Sequence, residues 1–113
     1  MVSQQEDCPF CQIARAEMDT EFVLEEGKLV AFEDLDPNAP VHVLVIPREH
    51  ITAVTDAPPE TLKELMDATQ TVAEKQGVAE SGYAVRINNG EDAGQQVDHL
   101  HIHVLGGRQL SMP

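Results

Sequence analysis

At 113 residues the chain has room for one domain, residues 1–113, built on a single modest core. Twenty acidic residues against seven basic ones leave a net charge of −13, which argues against general nucleic-acid binding, because that needs basic surface to displace counterions from phosphates. An apolar content of 42% argues against a disordered acidic chain, no apolar run is long enough to span a bilayer, and residues 1–12 lack the basic-then-apolar order of a signal peptide.

A cytoplasmic protein is therefore expected, and the charge points to a halophilic one, in which self-repulsion is screened over roughly 3 Å at 1 M salt. Residues 1–7 are polar and are expected to form a flexible tail. Cys8-Pro9-Phe10-Cys11 opens a short helix carrying Ile13 and Ala14 and reaching about Met18. A C-x-x-C pair is a redox motif, half of a metal site or a chance pair. The redox reading expects a strand leading into the pair, where this chain has a polar tail, and a structural disulfide is disfavoured in a reducing cytoplasm. Metal is the favoured reading.

Residues 21–25 and 29–33 read as two strands around Glu26-Gly27, a hairpin turn whose glycine suits a positive φ. Asp34-Leu35-Asp36-Pro37-Asn38-Ala39-Pro40 is dense in turn formers and forms a loop. Residues 41–46 are apolar on both faces, as in a buried central strand, which leaves His42 as a polar group among apolar neighbours. The spacing of Leu62, Leu65, Met66, Thr69, Val72 and Ala73 predicts one long amphipathic helix over residues 60–76, ended by Gly77. A further strand over 82–88 leads into the polar loop 88–96.

Next comes His99-Leu100-His101-Ile102-His103-Val104-Leu105, an alternation with the period of a strand that has one buried face. Leu100, Ile102 and Val104 are expected in the core and the three histidines on the opposite, open face, with neighbours about 6.6 Å apart at the backbone. The outer two are then about 13 Å apart, too far for one metal to be held by all three. The row reads as a surface that grips something extended, and the adjacent loop as a candidate ligand loop.

This stretch has the form His-φ-His-φ-His-φ-φ, with φ apolar, and resembles the signature of the histidine triad family of nucleotide hydrolases and transferases. The likeness extends to Cys8-Pro9-Phe10-Cys11, Phe32-Glu33-Asp34-Leu35-Asp36-Pro37, the span from His42 to His50, and Gly94-Gln95-Gln96-Val97. The ending Gly106-Gly107-Arg108-Gln109 is most similar to the histidine triad nucleotide-binding branch, whose members hydrolyse nucleoside phosphoramidates. The resemblance implies an α+β fold, an antiparallel sheet with one long and one short helix, in a homodimer whose sheets join.

It also implies roles. His101 would attack the α-phosphorus of a purine nucleoside phosphoramidate or related nucleotide, forming a nucleotidyl-histidine that water hydrolyses. His103 and His42 would steady the phosphoryl charge, with Asn88, Gln95 and a backbone amide near Gly94 as uncharged donors. Gln96 stands where the family commonly has a small hydroxyl residue. Asp34 would accept from the ribose, and Leu35, Phe10, Ile13 and Phe32 would sandwich the base. Some members hold a structural zinc, and the matching positions here are Cys8, Cys11, His50 and His99. The chemistry itself is expected to need no catalytic metal. Three rivals stay open: hydrolysis of dinucleoside polyphosphates, a nucleotide-binding regulatory protein with negligible turnover, and a metal-dependent enzyme using His42, His101 and His103 as ligands.

Overall fold

The computed structural model describes residues 8–16 and 20–111, so the expected tail over 1–7 and the expected helix end near Met18 lie outside the described residues. Proline in the first turn of a helix forfeits no hydrogen bond, and the first helix, α1 (Pro9–Ala14), begins there with the Cys8 thiol accepting the Cys11 N–H at 3.4 Å. It ends at Ala14, where Arg15 and the left-handed Ala16 (φ 59°) turn the chain.

Strands β1 (Phe22–Glu26) and β2 (Leu29–Glu33) form the expected hairpin. Glu26 pairs with Leu29, so the turn is Gly27-Lys28, and Gly27 is not among the glycines with positive φ. Both details correct the expectation, since a two-residue turn closing on this pair fixes the register one residue later. β3 (Val41–Pro47) lies between β2 and the triad strand β5 (Ile102–Gly106), and β4 (Tyr83–Ile87) forms the far edge. All four pairings are antiparallel, in the order β1-β2-β3-β5-β4.

The long helix α2 (Pro59–Lys75) packs Leu65, Ala68 and Val72 onto one sheet face, against Ala31, Val43, Val45, Ile102 and Val104. Gly77 follows it with φ 75°, the left-handed conformation that ends helices. Met66, expected on the apolar stripe, is 41% exposed, because the buried stripe is the narrower one of Leu65, Ala68, Thr69, Val72 and Ala73. The opposite sheet face is covered in part by α1, whose Ile13 and Ala14 pack on Val30, Phe32, Leu44 and Ile46. The result is the expected α+β arrangement with one long and one short helix, and the face under α1 carries the histidines.

Candidate active site and metal centre

Alternation along β3 sends Val43 and Val45 towards α2 and leaves His42, Leu44 and Ile46 on the other face. In β5 the same rule sends Ile102 and Val104 inward and His103 to the face of His42. His42 pairs in register with Leu105, so His103 is its diagonal neighbour, close enough for ring contact. The expectation that all three triad histidines share an open face is corrected here. His99 and His101 precede β5 and are 0% and 8% exposed, because α1 lies across them and sets the Phe10 ring edge-on against both, with centroids 5.9 and 5.1 Å away. The triad is divided between two sites.

Backbone partners fix the imidazole tautomers, since a carbonyl can only accept and an amide N–H can only donate. The His101 Nδ1–H donates to the His99 carbonyl at 2.7 Å, which leaves the lone pair on Nε2. His42 Nδ1 accepts the Asn38 N–H at 3.1 Å, so His42 carries its proton on Nε2, facing His103 Nδ1 at 2.9 Å. His103 is left with its own N–H on Nε2. The His99 Nε2–H donates to the Pro47 carbonyl at 2.9 Å, turning the unprotonated Nδ1 towards the thiols of Cys8 at 3.4 Å and Cys11 at 3.5 Å.

Burial, aided by the neighbouring His101 and His42, pushes His103 down to about 4, and burial together with the neighbouring His50 and His101, outweighing the Pro47 carbonyl, pushes His99 down to about 4. His42 is lowered too, again mainly by burial, although Asp34 pulls the other way with a carboxylate oxygen 3.4 Å from Nε2. All three rings are neutral near pH 7.

The ligand atoms of Cys8, Cys11, His50 and His99 lie within 4.8 Å of one another. His50 Nδ1 is 3.3 Å from the Cys11 sulfur, and three of the four residues are buried. Two soft sulfurs and two imidazoles converging in a closed site make the donor set that tetrahedral zinc prefers in structural sites. His99 fits in tautomer as well, because the carbonyl bonded to its other nitrogen holds the lone pair on the ligating atom. These residues could hold a metal, and a metal there would supply cross-linking of α1 to the sheet.

In front of His101 is a cleft of about 270 Å³, lined by Phe10, Ile13, Phe32, Asp34, Leu35, Gln96, His101 and His103, and also by Thr20, Glu33, Leu44 and Val97, to which the sequence assigned no role in the site. This is close to the small end of ligand pockets, about 300 Å³. A larger recess runs along β4 beside residues 107–110 but has no histidine or cysteine in its lining, so chemistry and not size picks out the first cleft. Leu35 stands at its mouth, 96% exposed. Asp34 is tied by its other oxygen to the Asp36 N–H at 2.8 Å.

Asn88, Gly94 and Gln95 are not among the lining residues. Asn88 donates to the Ala93 carbonyl, the Gly94 N–H to Glu91, and the Gln95 amide bonds Thr52, Val97 and Gly90. These bonds take up the Gly94 N–H and both N–H groups of the Gln95 amide, whereas Asn88 donates through one of its two. Pro47 and Asn38 were missed because they act through the main chain, where side-chain type gives no signal.

Residues 15–110 match the family model described as HIT domain. A purine nucleoside phosphoramidase of Escherichia coli K12 is 37% identical over 108 residues, covering 93% of this chain and 91% of that protein. A HIT family hydrolase from Legionella pneumophila superposes with a TM-score of 0.90 at 37% identity, over 95% of this chain and 98% of that one. A histidine triad nucleotide-binding protein from Candida albicans does so at 0.82 and 29%, over 95% and 85%.

Proposed function

The chain belongs to the HIT family, and from that premise we propose that it hydrolyses purine nucleoside phosphoramidates through a covalent intermediate on His101. The observation that carries this reading is the locked tautomer of His101: with Nδ1–H held by the His99 carbonyl, Nε2 keeps its lone pair, and the ring lines the cleft. Nε2 attacks the α-phosphorus, the bond to the amine breaks, and the amine leaves with a proton. Water then cleaves the new P–N bond, releasing the nucleoside monophosphate and restoring the imidazole.

His103, with its proton on Nε2 and backed by His42, donates to the phosphoryl oxygens as charge develops. Phe10, Ile13, Phe32 and Leu35 offer an apolar slot for the base, and Asp34 an acceptor for the ribose. Gln96 borders the cleft. Zinc at Cys8, Cys11, His50 and His99 is structural in this reading. The protein works in the cytoplasm as a homodimer that extends the sheet at an exposed edge strand, with no part for nucleic acid or membrane, and its acidic surface suits high salt.

Hydrolysis of dinucleoside polyphosphates would use the same phosphorus and nucleophile. The metal-dependent alternative fits the site less well. It expects His42, His101 and His103 as ligands, whereas the residues here that lie close enough to share an ion are Asp34, His42 and His103, and His42 could ligate through Nε2 only with its proton moved to Nδ1, where it would meet the Asn38 N–H. A regulatory protein without turnover would not need His101 so held.

The test is turnover of adenosine phosphoramidate, an aminoacyl adenylate and a dinucleoside polyphosphate, with and without chelator, beside His101→Ala. We expect the phosphoramidate to be hydrolysed best, chelator to leave the chemical step without an absolute metal requirement, and the variant to lose several orders of magnitude. Undiminished turnover in His101→Ala would overturn the assignment.

A further inference from the structure

Two residues link the cysteine cluster to the cleft: His99 is one of the four clustered residues and bonds His101, and Phe10 sits between the two cysteines in sequence and lines the cleft. The His99 ring presents Nδ1 to the two thiols, while its main-chain carbonyl holds the Nδ1–H of His101 at 2.7 Å. Phe10 lies between Cys8 and Cys11 in α1, and its ring meets His101 at 5.1 Å and Phe32 at 5.7 Å, both of them cleft residues. We propose that metal occupancy of Cys8, Cys11, His50 and His99 and nucleotide occupancy of the cleft strengthen one another. The proposal rests on the nucleotide reading above.

The element with two states is α1. Six residues are too few for a helix to be stable by itself, so its position depends on what holds it down. Ile13 and Ala14 pack at one end, and the two sulfurs fasten the other. Without metal the sulfurs meet His99 and His50 through thiol contacts of 3.3 to 3.5 Å, and thiols are weak donors. With metal, coordination would fix Cys8 and Cys11 to the sheet and hold Phe10 in the position it already takes against His101 and Phe32. A base that packs on Phe10 then meets a wall already in place and loses less freedom on binding.

Coupling of this kind is reciprocal, because each ligand must raise the affinity of the other by the same factor. Its usual range is about 5- to 150-fold, and we expect about tenfold here. The affinity for adenosine monophosphate is measured calorimetrically on zinc-loaded protein and on protein stripped of metal, whose fold is checked by circular dichroism. Weaker binding to the stripped form by about tenfold is expected. Equal affinity in the two forms would overturn the coupling while leaving the nucleotide reading intact. Binding in neither form would sink both.

If the stripped protein unfolds, the converse measurement serves, because it uses only the loaded protein. Transfer of zinc to a chromophoric chelator is followed with and without saturating adenosine monophosphate. Slower transfer with nucleotide is expected, and an unchanged rate counts against the proposal. Phe10→Ala keeps all four ligands and isolates one of the two links. The ratio of affinities between loaded and stripped forms should shrink in this variant, whatever happens to the affinities themselves, and an unchanged ratio would overturn the part assigned to Phe10.

Discussion

A single imidazole proton decides what His42, His99, His101 and His103 each do: a main-chain atom sets it for the first three, and His42 in turn sets it for His103. His103 carries a consequence that can be measured. Its pKa is pushed to about 4 by burial, whereas in an unfolded chain it would lie near 6.5, so between those values the unfolded state binds more protons. Its stabilising contribution is complete above about pH 6.5 and is lost as the pH falls towards 4. His42, lowered in the same direction, adds to the trend. The melting temperature measured across that window should fall less steeply in His103→Gln than in the parent, and parallel curves would contradict the assignment. His42→Ala should lower turnover by about 10- to 100-fold, since it removes the group that orients His103 and not the nucleophile.

Among the elements, α1 is the one whose placement creates the site. Arg48, just after β3, reaches the Ala14 carbonyl at the end of α1, the Gly27 carbonyl in the hairpin and the Glu25 carboxylate, at 2.9, 2.9 and 3.0 Å. Its cation at a helix C-terminus is favourably placed. Arg48→Ala should cost about 1–3 kcal/mol in denaturant unfolding and weaken nucleotide binding through the loosened helix. Gly107 tests the packing of the segment after β5 on the loop before β3. With φ at 92° and Pro40 only 2.9 Å from where a Cβ would stand, Gly107→Ala forces the segment after β5 away from the loop before β3. A loss of about 1–3 kcal/mol is expected, and a neutral result would show that the loop gives way.

For the whole molecule the governing quantity is charge. A net −13 on 113 residues makes self-repulsion a sizeable term, and salt screens it. Thermal midpoints measured from dilute buffer to molar KCl should rise, and a flat profile would remove the halophilic reading. The assembly is tested in the same solutions. β4 is an edge strand with Val85 37% exposed, and if sheets join there, Val85→Lys should shift the mass seen by light scattering towards the monomer.

The apolar patterns were enough to locate β2, β3, α2 and the later half of β5, and to name most of their inward residues though not to exclude Met66, because those patterns are local. The C-x-x-C and the triad likewise marked the chemistry by residue type. What the chain pattern could not carry is which way each histidine is covered, since that depends on α1 crossing the sheet from far away in sequence. Nor could it show that Asn88 bonds its own loop while the Gln95 amide reaches the Thr52 carbonyl, or that the carbonyls of Pro47 and His99 and the amide of Asn38 choose the tautomers. Side-chain identity is written in the sequence, but a main-chain hydrogen bond between distant segments exists only once the sheet has brought them together.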